Sequence, residues 1–244
     1  FKEVIIRVGQ TYKKQREEII KQSSIISKSL ELRKSSVLDQ DLGNILQNII
    51  VNLDKEKGGY KGAPKFPIFN IYDTLLYFYT KTKNLNYLKP VELILKQLCS
   101  QGIYDHVEGG ISRYTVDENW LIPHFEKMLY DNAQFIFLIS KFIKINENKY
   151  FEKKIIQTIE FINKNFLNSK YNLLGSAYDA DSDGEEGKYY VYNYNELKEI
   201  KDIEQYFDIN PEGNWENKII LREIKTPPDM ITVKLKELRK EKNK

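Results

Sequence analysis

Residues 102–135 read GIYDHVEGGISRYTVDENWLIPHFEKMLYDNAQF, a polar stretch with three glycines that leads into a run of large apolar side chains. The part up to Pro123 is too rich in glycine and polar groups for a helix, so we expect a long connection there. Connections longer than about 12–15 residues are uncommon in compact domains and are often functional. This loop is therefore the first place to look for a site.

The apolar part of the same stretch predicts a helix over residues 124–145. Pro123 would occupy its first position, where the missing N–H of proline costs nothing. In such a helix His124 and Asp131 share one face, whereas Glu126 lies on another. The ionisable groups could then serve acid–base chemistry or form a buried hydrogen-bond network that only fixes the fold, and the sequence leaves both open.

On both sides of this stretch, apolar residues recur at the spacing typical of amphipathic helices. Residues 1–33 predict a helix with a break near residues 23–24, and Asn193 with Glu196 forms the pattern of a capping box at the start of another helix. Residues 176–192 predict two strands around a tight acidic turn. Further helices are expected over residues 42–54, 71–83, 87–101 and 149–166, and from residue 231 onward.

These elements predict a mainly α chain of about eight helices arranged as αα-hairpins. Stacked hairpins form either an open solenoid or a closed toroid. No fixed repeat period is visible in the sequence, which disfavours an open regular solenoid.

Composition indicates a globular protein. Of the 244 residues 41% are hydrophobic and 30% are charged, and the formal net charge is +3. This charge is too small, and the lysines are too scattered, to predict nucleic-acid binding.

No apolar run approaches the roughly 20 residues that span a bilayer, so no membrane contact is expected. Cys99 is the single cysteine and cannot form an intramolecular disulfide. We therefore expect a reducing, cytoplasmic location.

The acidic stretch DADSDGEEG, residues 179–187, matches the first half of a calcium-binding EF-hand loop. Tyr190, however, stands where that loop needs a bidentate Glu, and the flanking strands do not suit a helix–loop–helix. A hairpin turn that projects acidic groups is the preferred interpretation. With no CxxC or HExxH motif, the two histidines give only a weak zinc signal. No metal and no cofactor are expected.

The only two histidines, His106 and His124, flank the long loop. Several carboxylates lie in the same region, and burial beside aromatic residues would shift pKa values toward neutrality, as general acid–base chemistry requires. Loop aromatics such as Tyr114 and Trp120 lie beside these polar groups. Their ring faces suit a carbohydrate ligand, although loop aromatics also fill ordinary cores.

Four motifs together carry a specific resemblance. GGYKGAPKFP, GIYDHVEGGISRYTVDENWLIPHFEKMLYDNAQ, SAYDADSDGEEGKYYVY and GNWENKIIL occur in this order. In sequence and spacing they resemble the family of large thioredoxin-domain proteins that includes bacterial YyaL and mammalian spermatogenesis-associated protein 20. The resemblance extends over nearly the whole chain.

The resemblance implies a domain organisation. Residues 1–33 would be the C-terminal helix of a thioredoxin-like domain plus a connection, and residues 34–244 would be the first part of an (α/α)6 toroid similar to six-hairpin glycosidases. The β-hairpin near residues 175–192 would be an insertion in that toroid. The chain would then be an internal fragment, with the thioredoxin-like domain and the second half of the toroid as its partners.

For function, the resemblance implies a carbohydrate-active toroid, glycosidase-like or epimerase-like, acting on a saccharide or polyol by acid–base chemistry. The alternative is a non-catalytic scaffold or protein-interaction toroid that serves a thioredoxin-like redox domain. The site would lie at one mouth of the toroid, formed by the 102–126 loop and the acidic turn. The candidate catalytic residues are Asp105, His106, His124, Glu126 and Asp179. The candidate substrate-binding residues are Arg113, Tyr114, Trp120, Asp131 and Asp181.

One departure from the family pattern affects this interpretation. Ile111 and Ser112 stand where the family usually has Phe and His. If that histidine is catalytic in the family, this chain has lost it.

Overall fold

The computed structural model describes residues 1–30 and 42–241. The chain divides into two compact units, Phe1–Ile45 and Leu46–Lys244. Helices α1 (Lys2–Lys14) and α2 (Arg16–Leu30) lie entirely in the first unit, and neither contains a buried residue.

The predicted break near residues 23–24 is wrong, because the interruption between α1 and α2 falls at Gln15. The hydroxyl of Ser24 donates to the carbonyl of Lys21 at 2.8 Å within α2. Serine can satisfy its hydroxyl in this way without leaving the helix. The last three residues of the predicted helix, 31–33, lie outside the described residues.

Asparagine caps fix the starts of two central helices. The side chain of Asn84 accepts from the backbone N–H of Asn86, and that of Asn148 accepts from Tyr150 and Phe151. Each cap satisfies N–H groups that have no partner inside the helix. The helices after α2 are α3 (Leu42–Asn52), α4 (Phe69–Thr82), α5 (Leu85–Ser100), α6 (Leu129–Ile143), α7 (Lys149–Phe161), α8 (Tyr194–Leu197) and α9 (Asp229–Glu241).

Two αα-hairpins form the main core of the second unit. Helix α4 packs on α5, α6 packs on α7, and α4 also contacts α6. Each large apolar side chain that is fully buried there contributes about 1.5–3 kcal/mol relative to exposure. The predicted fold class, mainly α with αα-hairpins, is confirmed. The fully buried core residues include Leu75, Ile94, Leu98, Phe135, Ile139 and Phe142.

Short antiparallel strands lie between the helices. The strands are β1 (Tyr114–Thr115), β2 (Pro123–His124), β3 (Lys127–Met128), β4 (Leu167–Asn168), β5 (Leu173–Leu174), β6 (Ala177–Tyr178), β7 (Asp181–Ser182) and β8 (Glu185–Glu186). They pair as β1 with β2, β3 with β6, β4 with β5, and β7 with β8. The β7–β8 pair turns at Asp183 and Gly184, both at positive φ, so the predicted acidic turn is confirmed. Its strands are shorter than predicted over residues 176–192, because Ala177–Tyr178 pairs with β3 and residues 187–190 form a turn.

The predicted helix from residue 124 is wrong at its start, because α6 begins at Leu129. Residues 123–128 are instead extended and paired: His124 lies opposite Tyr114, and Lys127 lies opposite Tyr178. The fixed φ of Pro123 suits this strand end as well as a first helical position. The helical-face argument for His124, Glu126 and Asp131 therefore does not hold.

The capping box at Asn193 is confirmed, since the carboxylate of Glu196 accepts from the backbone N–H of Asn193 at 2.9 Å. The helix that it starts is short and is followed by a 3-10 turn over Ile203–Gln205. Within the described residues, every helix is too short or too polar to cross a lipid bilayer.

Candidate functional site

Asp105 lies at the centre of a buried ionic network in the second unit. Its Oδ2 accepts from Lys127 Nζ at 2.8 Å, and Arg239 Nη1 lies 2.7 and 2.8 Å from its two oxygens. The backbone N–H groups of Val107 and Glu108 also donate to Oδ1. One carboxylate thus holds together the long loop, strand β3 and helix α9.

Both cations of this network have further partners. Lys127 Nζ donates to the carbonyl of Gly109 at 3.0 Å and lies 4.1 Å from the ring centroid of Phe161. Arg239 Nε donates to the hydroxyl of Tyr192 at 2.9 Å. Burial alone would raise the pKa of Asp105, but Arg239 and Lys127 hold that pKa well below its usual value. The group therefore stays ionised and does not exchange its proton near neutral pH.

His106 belongs to a second buried network. Its Nε2 lies 3.0 Å from the carbonyl of Gln101, and its Nδ1 lies 3.3 Å from Lys154 Nζ. Burial, together with Lys154, lowers the pKa of His106, while Glu223, whose Oε2 lies 3.3 Å from Nδ1, acts in the opposite direction. Lys154 also donates to Glu223 Oε2 at 2.9 Å. Burial opposes the charge of Glu223, but its contacts with His106 and Lys154 lower its pKa to about 2.

The space beside these two networks is too small for a sugar. A cavity of about 20 Å³ lies between Asp105, His106, Ser112 and Lys127. Such a volume holds about one water molecule. In this conformation Asp105 and His106 can therefore position the loop but cannot contact a saccharide.

Two further residues fix the loop from within. Trp120, a candidate substrate contact, is 0% exposed, and its Nε1 donates to the carbonyl of Lys57 at 2.8 Å. Asn132, in the first turns of α6, accepts from the N–H of Ile111 at 2.8 Å and donates to its carbonyl at 3.1 Å. Trp120 and Asn132 thus anchor the two halves of the loop on the helical core.

The β1–β2 ribbon carries an open stack of three rings. Tyr114 stacks on Phe66 with a centroid distance of 4.7 Å and on His124 with a centroid distance of 5.1 Å. Phe66 is 43% exposed at the end of the stack. His124 Nδ1 lies 2.7 Å from Glu186 Oε1 on the acidic hairpin. The hairpin is thereby joined to the ribbon through a histidine–carboxylate contact.

Asp131 lies beside an ion pair on the same ribbon. Arg113 Nη1 is 3.4 Å from Glu126 Oε2, and the N–H of Arg113 donates to the carbonyl of Glu126 at 2.9 Å. Asp131 is 7% exposed, and its Oδ2 is a buried oxygen without a hydrogen-bond partner. Burial raises the pKa of Asp131 to about 7; the charge of Glu126 acts in the same direction, while Arg113 opposes both.

The remaining two candidates, Asp179 and Asp181, are exposed. Asp179 Oδ1 accepts from the N–H of Asp181 at 3.3 Å, a contact that shapes the turn. Across residues 1–30 and 42–241, no three His, Cys, Asp or Glu side chains converge on a point that could hold a metal ion.

The candidates thus fall into three groups. Asp105, His106 and Trp120 are buried in the loop networks, and Asp179 and Asp181 are exposed on the acidic turn. Arg113, Tyr114, His124, Glu126 and the buried Asp131 lie around the ribbon. Sequence reasoning missed the buried partners Lys127, Lys154, Glu223 and Arg239, and also Glu186. Arg239 had a usable signal, because Ile231, Leu235 and Arg239 are spaced i, i+4, i+8 and share the buried face of α9.

Comparison with known proteins gives sequence relatives and a partial structural likeness. No protein-family model matches the chain. Human spermatogenesis-associated protein 20 is 29% identical over 219 residues, which cover 82% of this chain and 28% of that protein. An uncharacterized protein of Caenorhabditis elegans is 27% identical, covering 95% of this chain and 36% of that protein. The chain therefore spans only 28% and 36% of the length of these two relatives.

Among solved structures, cellobiose 2-epimerase from Spirochaeta thermophila matches with a TM-score of 0.49 and 16% identity, over 55% of this chain and 36% of that chain. A sugar epimerase from a ruminal bacterium matches with a TM-score of 0.47 and 19% identity, over 55% of this chain and 37% of that chain. The similarity that the four motifs predict is confirmed at the level of sequence: over 82% of its length, this chain resembles spermatogenesis-associated protein 20.

Proposed function

We propose that this chain contributes an acid–base, saccharide-binding face to a carbohydrate-active α/α toroid of the glycosidase-like or epimerase-like kind. The observation that carries the proposal is Asp131, a buried carboxyl group with one unpartnered oxygen and a pKa of about 7. General acid–base chemistry requires a group that gains and loses its proton near the working pH.

Glu126 supplies a second carboxyl group near Asp131, and Arg113 is its positively charged partner. Arg113 pairs with Glu126 at 3.4 Å, which holds an ionised carboxylate near Asp131. Two carboxyl groups with different protonation states are the usual requirement for glycoside chemistry, and a single acid–base pair can also move a proton at a sugar carbon. In this proposal Asp131 holds the exchangeable proton and Glu126 acts as its ionised partner.

The ring stack supplies the binding surface. The outer face of Phe66, with Tyr114 stacked behind it, offers an apolar platform for the C–H face of a sugar. His124 and Glu186, 2.7 Å apart, offer polar partners for hydroxyl groups at the edge of that platform. A neutral saccharide or polyol matches both, because it has an apolar C–H face and polar hydroxyl groups.

The proposal extends to the protein that contains this chain, because the chain spans only 28% of its human relative. We propose that residues 1–33 belong to a thioredoxin-like domain and its connection, that residues 34–244 belong to the first part of the toroid, and that the protein is cytoplasmic. The thioredoxin-like domain and the second half of the toroid would be its partners.

The test uses the full-length protein that contains this chain and a panel of neutral mono- and disaccharides. Ligand-observed NMR detects binding, and proton spectra followed over time detect hydrolysis and epimerisation alike. We expect Tyr114→Ala to weaken binding, and Asp131→Asn and Glu126→Gln to abolish turnover while binding persists. Glu199→Gln, at an exposed position outside the site, is the matched control. Unchanged turnover in both Asp131→Asn and Glu126→Gln would contradict the proposal.

The buried networks support the scaffold alternative. Asp105 and Glu223 are each paired to buried cations, and the cavity beside Asp105 and His106 holds about 20 Å³. A toroid whose carboxylates were all paired in this way would serve structure rather than chemistry. Absence of saccharide binding and turnover in the native protein would favour this alternative.

A further inference from the structure

A second concave surface lies between α3 and α5, and none of the candidate site residues lines it. It encloses about 480 Å³, which falls in the size range of small-molecule sites. Its floor is apolar and its rim is basic. The floor consists of Ile50, Leu53, Pro90 and Leu93, and the rim carries Lys55 and Lys89 together with Gln47, Asp54 and Asn86.

The floor is accessible to a ligand. Ile50, Pro90 and Leu93 are half-buried, and Leu53 is buried beneath them. Pro90 lies inside α5, where proline is rare because it has no N–H to donate to the carbonyl four residues earlier. In this position its ring adds apolar surface to the cleft. An apolar chain laid on this floor would remove the exposed parts of these side chains from water.

The rim carries uncompensated positive charge. Lys55 and Lys89 are exposed, and among the described residues neither has an ion-pair partner. Asp54 also lines the cleft, but its carboxylate is already engaged. Its Oδ2 accepts from Lys65 at 3.0 Å, and its Oδ1 accepts from the N–H of Lys57 at 2.9 Å. The lysines are therefore left to attract an anion.

We propose that this cleft binds a small organic acid with an apolar body, such as a medium-chain carboxylate. The apolar chain lies along Ile50, Pro90 and Leu93, and the carboxylate pairs with Lys55 and Lys89. The two lysines beside an apolar floor favour a ligand with an anionic head and an apolar body over a neutral sugar. The ligand class therefore differs from that of the proposed saccharide face.

The test is a titration of the isotopically labelled protein with octanoate, followed by backbone amide shifts. We expect shifts confined to residues of α3 and α5 and of the cleft between them. Octylammonium, with the same chain and the opposite charge, is the matched probe and should bind much more weakly. Added salt should weaken octanoate binding, because exposed charges are screened.

Variants test the charge argument directly. Lys55→Gln combined with Lys89→Gln should weaken octanoate binding about fivefold to tenfold, since each exposed ion pair contributes modestly. Lys144→Gln with Lys201→Gln, two exposed lysines outside the cleft, should leave binding unchanged. Equal binding of octanoate and octylammonium, shifts elsewhere on the surface, or no binding at millimolar octanoate would each overturn the proposal. None of these results depends on saccharide binding.

Discussion

Lys127 Nζ lies 2.8 Å from Asp105 Oδ2, and both side chains are almost completely buried. Arg239 reaches the same carboxylate from a helix 134 residues further along the chain. Loss of the carboxylate would leave two buried cations without their counterion, and an unpaired buried charge is far less favourable than either a pair or an apolar replacement.

Asp105→Asn should therefore destabilise the fold by about 3–5 kcal/mol, measured as the free energy of unfolding in urea. Glu118→Gln, which breaks the exposed pair with Lys57, should change it by less than about 1 kcal/mol. Adding Lys127→Met to Asp105→Asn should recover part of the loss, because one orphaned charge is removed. Equal effects of the buried and the exposed substitution would contradict the role of the network.

Gly59 lies against the buried ring of Trp120, and a substitution at Gly59 tests this contact. An added Cβ would lie 2.6 Å from Cζ2 of the buried Trp120 ring, at a φ of +73°. Gly62 has a φ of +87° but nothing within 4 Å of an added Cβ. Gly62→Ala should thus show backbone strain alone, about 1–2 kcal/mol. Gly59→Ala should add about 1–3 kcal/mol of overpacking.

Thermal and urea unfolding of both glycine variants, with tryptophan fluorescence as a second readout, measures this difference. Only the Gly59 variant should change the emission of the folded protein. If the two variants proved equally stable, the close approach of Gly59 to Trp120 would be refuted.

Asp131 should make stability depend on pH. Its pKa is raised from 3.8 to about 7 on folding, so the folded state holds its proton more tightly than the unfolded state. The stability linked to this group is fully present below pH 3.8 and is lost as the pH rises through about 7. Asp131→Asn should therefore stabilise the protein relative to the native chain at pH 8 much more than at pH 4.

Melting temperatures across that pH range measure the effect. The difference between Asp131→Asn and the native protein should grow between pH 4 and pH 7 and then level off. Glu199→Gln, at an exposed position, should show a flat difference. A flat difference for Asp131→Asn would mean that its carboxyl group titrates alike in the folded and unfolded states.

Local signals in the sequence predicted the local structure well. The apolar spacing in α4, α5 and α7, the capping box at Asn193 and the acidic turn near Gly184 depend on neighbours within a few residues. The start of α6 could not be predicted in this way. Residues 123–128 pair with Tyr114 and Tyr178, and these pairings across the chain override the local preference for helix.

The candidate site, too, could be predicted from local sequence only in part. The sequence identified the loop and its ionisable residues, but it could not show that Asp105 faces Arg239 while Asp131 has an unpartnered oxygen. Burial and pairing of a carboxylate depend on contacts far apart in the chain. These two properties decide whether a carboxylate is structural or able to exchange a proton.

The most direct test of the acid–base proposal is the titration of Asp131 itself, followed by the ¹³C shift of its carboxyl carbon in the folded protein. The curve is assigned by its disappearance in Asp131→Asn. The account predicts a midpoint near pH 7, far above the 3.8 of an ordinary aspartate. A midpoint near 3.8 would contradict it, because Asp131 would then carry no exchangeable proton at neutral pH.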